Sequence, residues 1–335
     1  LKKTIFLLVF SFLYFITLPS CESTSDQHAG PPSKKQQTAL PPSTGSRCEI
    51  LVVCTEHLWN SRALIPLKNE LLRPQPGLPQ PEPYFSILRV DPVNFKNVIQ
   101  RNKAVIIIEE SDTTTFQWKS NAFSKPQQLA LFTYSDLRQL YVLTARHRSE
   151  IFSRFREQDL NFTRRTLLTS GAKWKKATEE ESIRLLMPQG YTEVVKKNNL
   201  SIFFAQSSKT HHVIMVYTRP WDPEGHLLNE WEIIAIRDSL TRIHTQSSRP
   251  GSYTMVDTSI TPLSQTINFN GSLAIEMRGL YKSVNDFLGG PFYSITIFDE
   301  KYRRIILLDA FLQAVGLNKR NMLFEMESVL KSAEF

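Results

Sequence analysis

Apolar and polar positions divide the chain into a leader, a featureless stretch and a long patterned part. Ile5 to Leu18 is almost wholly apolar, fourteen residues behind Lys2 and Lys3. As a helix this run would reach only about 21 Å at ~1.5 Å per residue, and a stable membrane span needs roughly 20 apolar residues. It therefore predicts a signal peptide over residues 1–20. Glu22 to Ser46 has no apolar period and is rich in Ser, Thr, Gln and Pro. Such a segment buries too little surface to offset its ordering entropy, which predicts a disordered tether over 21–46.

Beyond the tether the pattern alternates between short apolar runs and helical periods. Ile50–Val53 and Ala104–Glu109 predict buried strands, Tyr84–Val90, Thr113–Ser120 and Gln128–Tyr134 further strands. Glu56 to Leu72 has a helical period. Asp91-Pro92 opens a short helix to about Gln100. Ser135 to Arg165 reads as a long helical stretch broken once. The string Pro74 to Pro83 excludes helix and central strand. After a joint at Ala172–Glu181 come strands near Tyr191–Lys196, Leu200–Gln206 and His212–Thr218, a strong helix from Glu230 to His244, and strands near Tyr253–Asp257, Gln265–Asn268, Ser272–Lys282, Phe292–Asp299 and Arg303–Ala314. Asn270-Gly271 marks a hairpin turn, and Lys319–Lys331 a closing helix. The order predicts an α+β protein of two α/β sandwich-type halves, with mixed or antiparallel sheets packed by helices. Residues 47–171 form the N-terminal α/β half, and residues 172–335 the C-terminal α+β half with an antiparallel sheet.

The end of the leader refines its meaning. Leu18-Pro19-Ser20-Cys21 resembles the bacterial lipobox, a branched apolar residue three before a cysteine and a small one just before it. That resemblance implies that Cys21 is acylated and becomes the mature N-terminus; an incidental cysteine after an ordinary signal is the rival. The completeness of this signal predicts that little precedes Leu1. Several chains hold a protein firmly where one would not. Twenty-five tether residues span about 25–30 Å on average.

Charge changes the picture little. The formal charge is +8, or +6 without Lys2 and Lys3. Much of it lies between Arg138 and Lys176 among interleaved acids, which fits a solvated helix face better than a surface for anionic lipid or polysaccharide. Nucleic acid is not an expected partner of an exported chain. Cys48 and Cys54 bracket one strand, about 20 Å apart at ~3.3 Å per residue, too far for a disulfide. No Cys-x-x-Cys pair supports zinc or redox chemistry, and no cofactor or metal is expected.

Candidate chemistry is thin. Gly-x-Ser-x-Gly, His-Glu-x-x-His and the P-loop are absent. Arg237, Asp238, Glu276, Arg278, Asp286, Gly289 and Gly290 are the candidate lining of a ligand groove. Against that, Gly289-Gly290-Pro291 reads as a tight turn with positive φ, and Glu276 with Arg278 as a pair sharing one solvent-facing strand face, contributing ~0–1 kcal/mol. His211 and His212 should point to opposite faces. His226 beside Asp222 and Glu224 reads as a solvated loop.

Strings spread in order along the chain carry a family resemblance: Pro76–Pro83, Arg237-Asp-Ser239, Pro250–Tyr253, Glu276-x-Arg-Gly-Leu280, Asn285–Phe292 and Lys319-Arg-Asn321. They resemble the DUF4837 family of uncharacterised Bacteroidota lipoproteins. The resemblance supports the lipid anchor and implies no activity. The second half alone is similar to the PsbP/Mog1-type sandwich, through Pro188–Tyr191 and the terminal helix running to Phe335. Domains of that type mostly bind partners. The expected function is a non-catalytic binding or docking module with an envelope protein or glycan partner, held to the membrane by its N-terminal lipid. The thinly acidic Glu22–Asp26 favours the periplasmic face of the outer membrane, with surface display as the open alternative. The rival is an envelope glycan- or peptide-acting hydrolase or lyase. It requires Asp286, Glu276, Arg278, His212 and Trp221 to share one concavity.

Overall fold

β1 (Glu49–Val53) is followed by a short helix α1 (Glu56–Trp59), a 3-10 turn and α2 (Ile65–Leu71), in place of one continuous helix. Pro66 sits in the first turn of α2, where a missing N–H costs no bond. β2 (Ser86–Val90), β3 (Ala104–Glu110), β4 (Thr115–Ser120) and β5 (Gln128–Tyr134) complete a sheet of order β2-β1-β3-β5-β4. β2, β1, β3 and β5 run parallel, and β4 closes the edge antiparallel. The structure, a computed structural model, describes residues 39–178, 183–246 and 249–335. The residues read as a signal peptide, Cys21, and most of those read as a tether lie outside these residues.

The tether ends earlier than the composition suggests. Lys125 N–H donates to Pro41 O at 2.9 Å, Thr44 N–H to Arg101 O at 2.8 Å and Lys103 N–H to Thr44 O at 2.9 Å. Residues 41–46 are thus pinned to the rim of the first sheet by backbone bonds, which a search for apolar periodicity does not register.

α3 (Leu137–Thr169) is one unbroken helix of 33 residues, capped by Asp136. It contains no Pro or Gly to break it. Its apolar stripe, with Ile151, Phe152 and Phe155, covers one face of the first sheet against Ile50, Val52, Ile106 and Phe132. The other face, Leu51, Val53, Val105, Ile107, Leu129 and Leu131, packs with Phe95 and Phe123. Burial on both faces explains why these strands read as continuous apolar runs. Cys48 and Cys54 are free, buried thiols, as their spacing predicts. Burial pushes them up to about 12 and about 11.

Within the segment read as a joint, Lys173–Ala177 form β6, which pairs antiparallel with β7 (Ile183–Met187). Then follow β8 (Thr192–Lys197), β9 (Leu200–Gln206), β10 (Thr210–Pro220), α4 (Glu230–His244), β11 (Tyr253–Val256), β12 (Leu263–Phe269), β13 (Ser272–Val284), β14 (Gly289–Asp299), β15 (Arg304–Ala314) and α5 (Arg320–Leu330). Eight of these strands form an antiparallel sheet of order β11-β13-β14-β15-β10-β9-β8, with β12 also paired to β13. α4 starts on a capping box in which Asn229 and Glu232 bond each other's backbone. It covers one face of the sheet, against Met215, Met277 and Ile305. α5 and the β6–β7 hairpin cover the other, against Ile295, Ile306 and Leu308.

Residues 40–335 form one compact unit, and α5 is its shared element. Leu323, Met326, Val329 and Leu330 face the second sheet's core, while Phe324 enters the first sheet's core. The proline string holds α5 in place. Glu82 accepts from the backbone N–H of Lys319 at 2.6 Å and of Arg320 at 3.1 Å, an anion at a helix N-terminus.

Candidate functional site

The residues named from the sequence do not share a groove, because the second sheet lies between them. Along β13, alternate side chains point to opposite faces. Glu276 and Arg278 point toward α5, and neither is solvent-facing: they are 4% and 6% exposed. Arg278 Nε stands 3.3 Å from Glu276 Oε1, and its Nη2 stands 2.9 Å from Glu327 Oε2 on α5. Arg156 of α3 pairs with the same Glu327 oxygen. Lys331 Nζ lies 3.1 Å from Glu327 Oε1 and 3.3 Å from Glu276 Oε2, which also accepts from the Tyr293 hydroxyl at 2.7 Å. This is a buried network of two carboxylates and three cations joining α3, β13 and α5. Burial alone would raise both carboxyls, yet the cations outweigh it, and Glu276 and Glu327 are both held below their ordinary value.

Arg237 and Asp238 belong to α4 and the opposite face. Arg237, fully buried, donates from Nε to Asp309 Oδ1 of β15 at 2.9 Å. Its guanidinium lies over the rings of Phe292 (4.4 Å) and Phe311 (5.4 Å). Asp238 accepts from the Val256 N–H at 2.9 Å and so ties α4 to β11. Burial raises both carboxyls, with Arg237 opposing it.

Asp286 is at the tip of the β13–β14 hairpin, 3.5 Å from Arg249 Nε. His211 and His212 face opposite ways as predicted. Tyr191 Oη lies 3.4 Å from His212 Nδ1, and burial lowers the His212 ring's proton affinity. Trp221 packs on Phe298 at the far end of β14. His226 bonds Glu232 at 2.9 Å on the surface.

Gly289 and Gly290 are not a positive-φ turn; they begin β14, and neither has a positive φ. What they require is room. A Cβ on Gly290 would stand 2.1 Å from the Leu312 carbonyl oxygen, and one on Gly289 would stand 2.9 Å from that of Tyr281. Both obstacles are backbone, so a side chain must part the strands. Gly290→Ala is expected to destabilise the protein by about 1–3 kcal/mol, read as a lowered urea midpoint. An unchanged midpoint would show that the strands yield freely.

The concavity that the sequence did not reveal lies on the α4 face. A cavity of about 390 Å³ opens between the end of α4 and the curved sheet. Ile202, Phe204, Val213, Leu288 and Phe311 wall it, and His211, His244, Thr254, Tyr281 and Ser283 supply its polar groups. Its lining comes from six strands, a hairpin and one helix end, and no local motif links them. Thr241 on α4 and Thr245, its C-cap, fix its roof: they bond Thr254 O at 2.7 Å and Thr254 Oγ1 at 2.6 Å. Among the described residues no cluster of His, Cys, Asp and Glu could hold a metal ion, and no helix is long and apolar enough to cross a membrane.

The comparisons divide the chain at the end of α3. Residues 170–332 match the family model of a domain of unknown function, DUF4837. Residues 43–168 match that of a second domain of unknown function, DUF8532. Two solved structures are weakly similar, a mutant of protein Mog1 and the Saccharomyces cerevisiae Ran-binding protein Mog1p. Each is 9% identical with a TM-score of 0.32, and covers 49% of this chain and 95% or 96% of its own. No curated protein matches the chain.

Proposed function

We propose that the protein is a lipid-anchored envelope lipoprotein whose folded part binds a partner or ligand without catalysing a reaction. The observation behind this reading is how the chemistry-bearing side chains are used. Glu276, Arg278, Arg237 and Asp309 are consumed in internal pairs on two faces of one sheet, while the α4-side concavity is walled by apolar groups. The hydrolase or lyase reading needs Asp286, Glu276, Arg278, His212 and Trp221 together; instead Glu276 and Arg278 are paired with each other and with α5, Asp286 is at a hairpin tip beside Arg249, and Trp221 packs on Phe298 on the opposite face. Phe287, one residue from the cavity wall at Leu288, is 94% exposed; an apolar side chain offered to solvent beside a cavity suits contact with a partner. The anchor rests on the lipobox at Cys21, and the thinly acidic residues behind it favour the periplasmic face of the outer membrane.

Two measurements test this. Cys21→Ala should move the chain from the membrane to the soluble fraction, and a variant that stays membrane-bound would overturn the anchor. A photoreactive residue at Phe287 or Leu288 should give discrete adducts in membranes. Adducts from neither position would remove the support for binding at this face.

A further inference from the structure

The chain enters its fold at one edge of the first sheet, and the surface around that entry is apolar and basic. Pro42 O accepts from Arg101 Nε and Nη2, both at 3.3 Å, and the backbone bonds of Pro41 and Thr44 hold the same stretch against residues 101, 103 and 125. Those partners directly precede β3 and β5, so the entry is at the N-terminal ends of the parallel strands. Beside it runs the connection from β2 to β3. Its Phe95 packs with the face of Leu51, Val105 and Leu129, which places the connection on the side of the sheet opposite α3. Its two 3-10 turns, Pro92–Asn94 and Asn97–Arg101, bury none of their residues. Val98 and Ile99 are 59% and 40% exposed, and Leu40, at the entry, is 43% exposed. Apolar groups offered to water together mark a contact surface. Lys96 and Lys125 are exposed beside them, and Lys119 shares the face in register with Leu129. None of the three lysines is ion-paired among the described residues. The carboxylates Asp91, Glu109, Glu110 and Asp112 are at the other end of the strands. Glu49, at this end, accepts from Asn102 Nδ2 at 2.9 Å.

The length of the tether says what lies next to this surface, given the anchor proposed at Cys21, on which the inference rests. From Glu22 to Leu40 there are 19 residues. A flexible chain of that length spans about 25 Å, and a compact body of roughly 300 residues has a radius of gyration of about 19 Å. Anchoring therefore keeps the Leu40 edge next to the bilayer. Aliphatic side chains enter the lipid interface, and lysines beside them gain from anionic headgroups. We infer that this edge docks on the membrane, with Leu40, Val98 and Ile99 in the interface and Lys96 and Lys125 against anionic phospholipid. The acidic end of the first sheet then points away from the lipid.

The test uses the full lipidated chain in vesicles of phosphatidylethanolamine and phosphatidylglycerol, with a nitroxide label on Val98→Cys. Cys48 and Cys54 are buried, so the label goes to the new thiol. It should be shielded from an aqueous nickel chelate and open to oxygen, as a group inside lipid is. A label on Ile243→Cys of α4, at a position 64% exposed, should be open to nickel. Lys96→Gln with Lys125→Gln removes two charges, each contributing about fivefold to partition onto an anionic surface. The pair should lower the shielded fraction of the Val98 label while the chain stays on the vesicles. Thermal melts confirm that each variant keeps its fold. A Val98 label as open to nickel as the Ile243 label overturns the docking. Shielding that survives Ile99→Asp added to the two lysine changes overturns this surface. Shielding in native membranes that is absent from the lipid vesicles gives the surface a protein partner and overturns the bilayer. Failure of the anchor reads differently: Cys21 carries no acyl group and the chain washes off the vesicles, which overturns the docking together with the anchor.

Discussion

Glu327→Gln is expected to destabilise the folded part by about 3–5 kcal/mol, because it leaves the buried Arg156 without its carboxylate and Arg278 and Lys331 with Glu276 alone. Glu327 is 1% exposed and faces Arg156, Arg278 and Lys331. Removing one partner of a buried ion pair leaves the others desolvated and uncompensated, which is the costly case. The amide keeps the volume, so the loss would reflect charge rather than a cavity. Glu327→Gln combined with Arg278→Met removes one of the stranded cations and should recover part of the loss; simple additivity in that cycle would show that the two do not interact. The same carboxyl sets an acid dependence. Burial pushes it up, the three cations outweigh burial, and it is held far below its ordinary value of 4.5. A carboxyl lowered on folding contributes stability that is fully present above its unfolded pKa and is lost as pH falls toward the folded one. Urea midpoints should therefore drop as the pH is taken from about 5 to about 3, and drop less steeply in Glu327→Gln. Parallel profiles for the two proteins would assign the acid sensitivity elsewhere.

This network shows where sequence reasoning stops. Glu276 and Arg278 were visible as a pair on one strand face, since a period of two is local. Their burial was not, because the groups that cover them come from residues 156, 327 and 331. The glycines fail in the same way. Gly289-Gly290-Pro291 has the composition of a turn, and only the register of β14 against β13 and β15 reveals that Leu312 and Tyr281 leave no room for a Cβ. Elements with a strong local signal were legible. Ile50–Val53 and Val105–Ile108 are buried on both faces and read as unbroken apolar runs, and α4 combines a capping box with a helical stripe. The β6 strand, Lys173-Trp-Lys-Lys-Ala177, was missed because three lysines conceal its pairing with β7. The cavity could not be read at all: Tyr281, Phe311 and His244 meet only when the sheet curves under α4.

Phe324→Ala should cost about 3–5 kcal/mol and weaken both sheets together, although Phe324 contacts only the first sheet's core. Its ring is fully buried there beside Phe152 and Phe155, with the Arg156 guanidinium 4.3 Å from its centroid. Truncation leaves a void in a core that extends on every side, and removes a partner from an arginine that also holds Glu327. The neighbours on the same helix, Leu323, Met326 and Leu330, are embedded in the second sheet's core. A helix anchored on both sides transmits a loss on one side to the other, since its backbone cannot leave one core and keep its seat in the second. Urea unfolding of Phe324→Ala should then remain a single transition at a lower midpoint. Single-tryptophan reporters at Trp118, in the first half, and Trp221, in the second, should give coincident curves. An early transition at Trp118 with Trp221 unmoved would mean that the two halves unfold independently and that α5 belongs to the second half alone.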